Sequence, residues 1–413
     1  MEDRTWYDLY RDLEQPTLGR TVVGFNVNID RIVPVTADLL ASLPQMQGEL
    51  AVFRNRLYHA MQTCTADELF VRDTTVYGEF IHHFSGNSTI GGQAGIAAVQ
   101  LASAGAPEVI CITPSMGVTT RVILREAGVT IPGPERVSSE QPDTVHLVLE
   151  YSPGLVPLAP GAVARNNRFI VSPLHDPSTI LLNEEIIGEF RKAAAFCDRA
   201  FLSGYQYLTS DREFSIAADQ LLVAKKQNPH LRIHAEWVTV ADDEITRRFV
   251  RYILPHASSL GLNEQELGFV YRCMNPAVSQ NHGQAAGSAA TLAQQALEIC
   301  QSTGLVRLHL HTFGYYMAVC KDPSCPEKTR DALLFASRTI AQSAGRAEPG
   351  MVLEGRKALE DSAAAFGREV SPGIFHSGKY HVIVIPSLIV QGVTKTAGMG
   401  DRISSLAFAA DPF

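Results

Sequence analysis

The sequence predicts an α/β fold, a three-layer α/β/α sandwich built on a mostly parallel sheet, with a smaller unit inserted into it. Three observations carry this. From residue 183 onward, helix-like and strand-like segments alternate (helices 183–196 and 214–227, strands 199–205 and 231–238), as they do when helices cover both faces of a parallel sheet. Residues 31–84 interrupt the core pattern with surface-like helical spacing, Leu39, Leu40 and Leu43 and then Leu50, Phe53 and Leu57. Polar side chains gather at the ends of the predicted strands, where open α/β sheets bind their ligands.

Composition narrows the class. A chain of 413 residues that is 46% hydrophobic can bury a large core and a second, smaller one. A formal net charge of −8 argues against a dedicated nucleic-acid binder, which would carry a basic stripe. The seven cysteines have no CxxC spacing, and several sit in apolar runs such as Val109-Ile110-Cys111-Ile112. They read as reduced thiols of a cytoplasmic protein. Residues 1–13 lack the apolar stretch of a signal peptide, and no apolar run is long enough to span a membrane.

In chain order, residues 5–18 read as a polar leader with helical character. Residues 21–30 read as one buried strand on which Asn26, Asn28 and Asp30 alternate and so share a face. That polar face marks a site or a solvent-facing edge. Next comes Gly91-Gly92-Gln93-Ala94-Gly95, opening a small-residue helix whose glycines would let backbone amides approach a ligand. Strands follow at 107–113 and 146–152, and then Arg165-Asn166-Asn167-Arg168 before another short strand. These two arginines would bind a phosphate or protect a strand edge. After a Pro/Gly-rich loop at 151–161 and the alternating segments, a strand at 259–263, a helix at 286–302, a strand at 305–311 and its partner at 315–321 complete the middle of the chain.

A long strand at 380–390 precedes Lys395-Thr396-Ala397-Gly398-Met399-Gly400-Asp401, which runs into a short helix. Glycines at a strand-to-helix turn let amides crowd around an anion, and the helix dipole favours negative charge there. Asp401 stands where a carboxylate would reach a hydroxyl beside that anion, as phosphoryl transfer to an alcohol requires. A plain glycine loop with an Asp cap would share this sequence. The other strand ends carry His234-Ala235-Glu236, Asn263-Glu264-Gln265-Glu266 and His311-Thr312-Phe313-Gly314. Glu236 and Glu266 suit Mg²⁺ held through water. The set His230, His234, His309 and His311 matches no compact zinc spacing.

On these motifs, HxE at 234–236, NxxE at 263–266 and GxGD at 398–401, in that order, the sequence resembles the ADP-dependent glucokinase and phosphofructokinase family of the ribokinase-like superfamily. The resemblance implies a ribokinase-like sandwich from 1–30, 86–142 and 181–413, and a β-rich lid from 31–85 and 143–180 that closes on substrate. It implies ADP as phosphoryl donor, AMP as product, Asp401 as base, and an anion hole at Gly398, Met399 and Gly400. Sugar contacts would come from Asn26, Asn28, Asp30, Gly91, Gly92, Gln93, Arg165 and Arg168. Nucleotide contacts would come from Asn263, His311, Thr312, Gly314, Val393 and Lys395, with Glu236 and Glu266 organising Mg²⁺.

The acceptor turns on charge. Arg165 and Arg168 suit a phosphorylated sugar, and Glu68 or Glu79 would serve a free one; the sequence leans toward fructose 6-phosphate. A nucleoside or pentose kinase of the same superfamily is the neighbouring alternative. A non-catalytic sugar sensor would need a damaged motif, whereas Asp401, Glu236 and Glu266 are all present. No feature of the sequence sets an oligomeric state.

Overall fold

The computed structural model describes residues 3–43, 48–64, 67–114, 116–132, 143–152, 166–173, 183–238, 240, 242–275, 287–322, 325–391 and 398–413. Its strands are β1 (Thr21–Gly24), β2 (Asn28–Pro34), β3 (Asp67–Val71), β4 (Asn87–Gly91), β5 (Val109–Ile112), β6 (Val145–Tyr151), β7 (Asn167–Pro173), β8 (Arg199–Leu202), β9 (Arg232–Glu236), β10 (Ser259–Leu262), β11 (Arg307–His311), β12 (Tyr315–Lys321), β13 (Arg346–Met351), β14 (Ile374–Ser377), β15 (Tyr380–Pro386) and β16 (Leu388–Gln391). The helices are α1 (Asp3–Arg11), α2 (Ala37–Ser42), α3 (Glu49–Thr63), α4 (Thr74–His83), α5 (Gln93–Ser103), α6 (Val118–Glu126), α7 (Glu184–Ala194), α8 (Asp211–Gln227), α9 (Asp243–Arg248), α10 (Glu264–Met274), α11 (Ala289–Thr303), α12 (Pro326–Ala344), α13 (Leu353–Phe366) and α14 (Met399–Ala410).

Nine strands form one large sheet in the order β14-β15-β12-β11-β10-β9-β8-β1-β5. From β11 to β5 every neighbouring pair is parallel, while β12, β15 and β14 join antiparallel. The parallel strands are buried along most of their length, as apolar runs such as Val109-Ile110-Cys111-Ile112 require. Their carboxyl ends lie side by side, which brings Glu236 on β9, Asn263 after β10 and His311 on β11 to one edge.

Five strands form a second sheet, β3-β7-β6-β2-β4. One face packs on α2, α3 and α4 around Phe53, Phe80, Phe84, Phe169, Leu147 and Val171. The Phe53 ring meets those of Phe80, Phe84 and Phe169 edge-on at 5.2–5.6 Å, and each buried phenylalanine contributes roughly 1.5–3 kcal/mol. Residues on a strand alternate between faces, so the opposite face carries Asp30, Glu68, His146, Arg168 and Ser172. The strands of this sheet reach to Asn28 on one side of the excursion and to Gly91 on the other.

The structure differs from the sequence reading in three places. The predicted strand 21–30 is two strands in two sheets. β1 lies between β5 and β8 with every residue buried, and the alternating Asn28 and Asp30 lie on β2 in the second sheet. Polar side chains cannot continue between two apolar layers without partners, so the chain crosses over after Gly24. Asp30 is therefore mid-strand on the smaller sheet, not at a strand end of the large one, and Asn26 lies in the crossover, where its carbonyl accepts from the Ala94 amide. The predicted strand 380–390 divides at Pro386, which lacks an N–H for the ladder; β16 pairs with β13 in a separate two-stranded ribbon. The leader is not a polar surface segment. Trp6 and Tyr10, four residues apart on α1, are buried in the main core, and the Tyr10 hydroxyl donates to the Pro386 carbonyl at 2.7 Å.

The last helix is held at its far end by a buried ion pair. Arg307 Nε donates to Asp411 Oδ2 at 2.9 Å, and Thr329 Oγ1 donates to Asp411 Oδ1 at 3.0 Å; both charged side chains are fully buried. Removing one partner leaves a buried charge without its counter-charge. Asp411→Ala is expected to cost about 3–5 kcal/mol, read from the urea midpoint at unchanged m. A midpoint equal to wild type would show that the pair does not hold α14.

Candidate active site

The glycine turn opens α14, and its two glycines answer different needs. Gly398 is the N-cap in the left-handed region at φ 69°, and a Cβ there would come within 2.6 Å of Ile96 Cδ1 on α5. Gly400 is already helical, and a Cβ there would stand 2.6 Å from His311 Nε2. With Met399 between them, they press the helix N-terminus against the end of β11. Asp401 sits in the first turn, where the side chain of Gln93, the first residue of α5, acts on it. Burial raises its pKa to about 7, with Glu236 adding to the rise and Arg168, Gln93 and Arg402 opposing it. A carboxyl group poised near neutrality suits proton transfer at physiological pH.

Beneath α14 runs a buried polar chain. Arg307 Nη1 donates to Ser259 Oγ at 3.2 Å, and Ser259 Oγ lies 2.8 Å from His234 Nδ1. His234 Nε2 lies 2.7 Å from Glu236 Oε2, which also accepts from Ser404 Oγ at 2.6 Å. Burial, with the Arg307 charge adding to it, holds His234 well below the ordinary histidine pKa, so the ring is neutral. Donor bookkeeping then assigns its proton to Nε2, facing the carboxylate, with Nδ1 accepting from Ser259. The ring is sandwiched between Phe201 and Phe408, with centroids at 5.0 and 4.9 Å. Gly261 lets the chain cross β10, since a Cβ there would fall 2.0 Å from Glu236 Oε2 and 2.7 Å from both His234 Nε2 and Ser404 Oγ. Burial pushes Glu236 up to about 7, opposed by His311, Ser404 and Arg307. Its second oxygen, Oε1, is 4.0 Å from His311 Nδ1.

The polar face of the smaller sheet meets this edge. Asn28 Nδ2 donates to Asp30 Oδ1 at 2.6 Å. The space left by the missing side chains of Gly91 and Gly92 is taken by these residues: a Cβ on Gly91 would meet Asp30 Oδ1 at 2.1 Å, and one on Gly92 the Asn26 carbonyl at 2.4 Å. Burial raises the Asp30 pKa to about 7; the Asn28 hydrogen bond and Arg168 lower it, and Asp401 and Glu68 raise it. The Arg168 charge acts on Asp30, Glu68 and Asp401 alike. Tyr207, from the large sheet's side, feels both Glu68 and Asp30.

The remaining predicted residues fall into three groups. Asn263 and Glu266 form a capping box on α10: Asn263 Oδ1 accepts from the Gln265 and Glu266 amides, and Glu266 Oε2 accepts from the Asn263 amide at 2.7 Å. The NxxE spacing thus has a local structural explanation whatever else it does. Thr312 and Gly314 shape the turn between β11 and β12, where Thr312 Oγ1 donates to the Tyr315 carbonyl at 2.8 Å and Gly314 adopts φ 91°. Arg165, Val393 and Lys395 lie outside the described residues. Among the described residues no group of three or more His, Cys, Asp or Glu side chains could hold a metal ion by themselves. His230 is exposed ahead of β9, at the end of that strand away from Glu236. The sequence reading missed Ser404, Ser259, Arg307 and Tyr207. Ser404 alone had a signal, standing one helical turn from Asp401.

The conserved region of ADP-specific phosphofructokinase/glucokinase matches residues 19–410. An ADP-dependent glucose/glucosamine kinase of Pyrococcus abyssi is 26% identical, covering 98% of this chain and 99% of its own. An ADP-specific phosphofructokinase of Methanosarcina acetivorans is 25% identical, covering 96% and 93%. A solved ADP-dependent kinase in complex with fructose-6-phosphate and ADPbetaS superposes with a TM-score of 0.81 at 24% identity, over 99% of this chain and 97% of that one. With the match extending over nearly the whole length and the motifs brought to one edge of the large sheet, the chain belongs to the ADP-specific phosphofructokinase/glucokinase family.

Proposed function

We propose that the protein is an ADP-dependent sugar kinase that transfers the β-phosphoryl group of ADP to a hydroxyl of a hexose or hexose phosphate and releases AMP. The observation that carries this is Asp401: a carboxyl group raised by burial to about 7 in the first turn of a glycine-capped helix. The acceptor oxygen attacks the β-phosphorus, the bond to the bridging oxygen breaks, and the hydroxyl proton passes to Asp401. The amides of the first turn of α14 face the charge that builds on the transferred group. The smaller sheet acts as a lid whose polar face excludes water over the acceptor, with Asn28, Asp30 and Gln93 toward the sugar. Asn263, His311, Thr312 and Gly314 border the nucleotide.

Mg²⁺ fits the donor chemistry. Glu236 and Glu266 are hard oxygen ligands, and the charge of Glu236, disfavoured by burial, would be compensated by a cation. The two would hold it partly through water, and when bound it neutralises phosphate charge. All seven cysteines are free, and we place the protein in the cytoplasm on that ground; recovery of the native protein with disulfides would refute the placement. No helix among the described residues is long and apolar enough to cross a membrane.

For the acceptor we put a hexose phosphate such as fructose 6-phosphate first, because the Arg168 charge acts on Asp30 and on Asp401, the candidate base. The second reading, an unphosphorylated hexose, is favoured by Glu68, whose Oε1 accepts from Ser172 Oγ at 2.6 Å on the same face of the sheet. Glu79 is exposed on α4.

Asp401→Asn is expected to lower kcat by about 10²–10⁴-fold with ADP affinity nearly intact; near wild-type turnover would remove Asp401 from the base position. Glu236→Gln and Glu266→Gln are each expected to raise the Mg²⁺ concentration for half-maximal rate and to weaken Mn²⁺ binding followed by EPR in the presence of ADP. Unchanged titrations in both would leave these acids structural. Arg168→Ala is expected to raise KM for a sugar phosphate by about ten- to a hundredfold, since a charge-assisted hydrogen bond contributes roughly 1.5–3 kcal/mol, with KM for ADP unmoved. A silent variant, together with robust glucose phosphorylation by the wild type, would select the second reading.

A further inference from the structure

A row of polar side chains crosses the cleft-facing side of the smaller sheet. Glu68 on β3, Ser172 on β7, His146 on β6 and Asp30 on β2 stand on successive neighbouring strands. Ser172 Oγ donates to Glu68 Oε1 at 2.6 Å and lies 3.1 Å from His146 Nδ1. A hydroxyl has one proton; with that proton on the carboxylate, its lone pair accepts from His146 Nδ1–H. His146 in turn is in register with Asp30. Ser172 has no solvent exposure, so its hydroxyl is not shared with bulk water.

Glu68 lies on the polar face of the smaller sheet together with Asp30 and Arg168. Its charge acts on Tyr207 together with that of Asp30, and Arg168 acts on Glu68, Asp30 and Asp401. One oxygen of Glu68 is engaged by Ser172, and an anchored carboxylate of this kind presents its remaining oxygen in a fixed direction. From the helical layer, Arg56 on α3 donates to the Glu68 carbonyl at 2.9 Å, on the backbone and not on the carboxylate.

We propose that Ser172, backed by His146, is a positioning residue that orients Glu68 to accept a hydroxyl of the acceptor sugar. This rests on the sugar-kinase reading above and assigns Ser172 no contact with the nucleotide. It adds a specificity element that acts through Glu68: preorganisation lowers the ordering cost of binding the sugar while leaving the phosphoryl-transfer step alone.

The test is steady-state kinetics of the full chain with ADP and whichever of glucose or fructose 6-phosphate the wild type phosphorylates. Ser172→Ala is expected to raise KM for the sugar about three- to tenfold, the loss of one hydrogen bond, with kcat and KM for ADP within about twofold. Ser172→Thr, which keeps the hydroxyl, is expected to stay near wild type. In a Glu68→Gln background, Ser172→Ala is expected to add little, because the two act as one unit. Should Ser172→Ala fail to fold, Ser172→Cys keeps the volume with a weaker donor and carries the same comparison. An unchanged sugar KM in the folded variant, an equal rise in KM for ADP, or full additivity with Glu68→Gln would overturn the proposal while leaving the kinase reading intact. A wild type that phosphorylates no hexose or hexose phosphate would overturn both.

Discussion

The hydrogen bonds that end on Glu236 Oε2 set the position of everything else at the site. One comes from His234 on β9 and one from Ser404 on α14, so a single buried oxygen ties the helix bearing Asp401 to the centre of the large sheet. At its other end the same helix is tied through Asp411 to Arg307. Two polar anchors on one helix fix both its rotation and its translation, which apolar packing alone does weakly because Leu, Ala and Phe contacts tolerate small slides. The chain also runs in one sense, from a guanidinium through a hydroxyl and a neutral imidazole to a carboxylate. Each group polarises the next in a low-dielectric interior. Such an arrangement is costly if any link is missing, and for that reason it defines one register of α14 against β9, β10 and β11.

The glycines serve this geometry more than chain flexibility. Gly261 and Gly400 have ordinary backbone conformations; they are small because Glu236 and His311 occupy the space a methyl group would need. Gly398 combines a left-handed cap with contact against α5. The described end of the turn packs closely, Gly398 on Ile96 and Gly400 on His311. Preorganisation of this kind is how a site stabilises charge at the moment of transfer without reorienting its dipoles.

Electrostatics joins the two sheets. Asp30 and Asp401 are both raised to about 7 by burial, and each raises or is raised by neighbouring acids across the gap. Arg168 is the cation that opposes this on the smaller sheet, acting on three carboxylates. An acid-rich centre, opposed among the described residues by Arg168 and Arg402, favours groups that bring hydrogen-bond donors or positive charge, such as sugar hydroxyls and a metal-bound nucleotide. The row from Glu68 to Asp30 spreads that preference over four strands of the smaller sheet.

The sequence by itself determined the parallel part of the fold and offered the candidate site residues. Alternating apolar strands and helices after residue 183 are a local periodic signal, and HxE, NxxE and GxGD are short motifs whose residues remain neighbours in any fold. Glu236, Glu266 and Asp401 were legible as candidates for that reason. Tertiary structure decided the rest. The break of residues 21–30 into strands of two sheets depends on which layers cover each half, and apolar alternation alone does not register a change of sheet. The burial of Trp6 and Tyr10 depends on a groove formed by residues more than three hundred positions away. The partners that orient Glu236 and Glu68, namely Ser404, Ser259, Arg307 and Ser172, are common residue types without a motif. Their significance comes from hydrogen bonds that span up to 168 positions of chain, and a hydrogen bond acts over about 3 Å of space however far apart its partners lie in sequence.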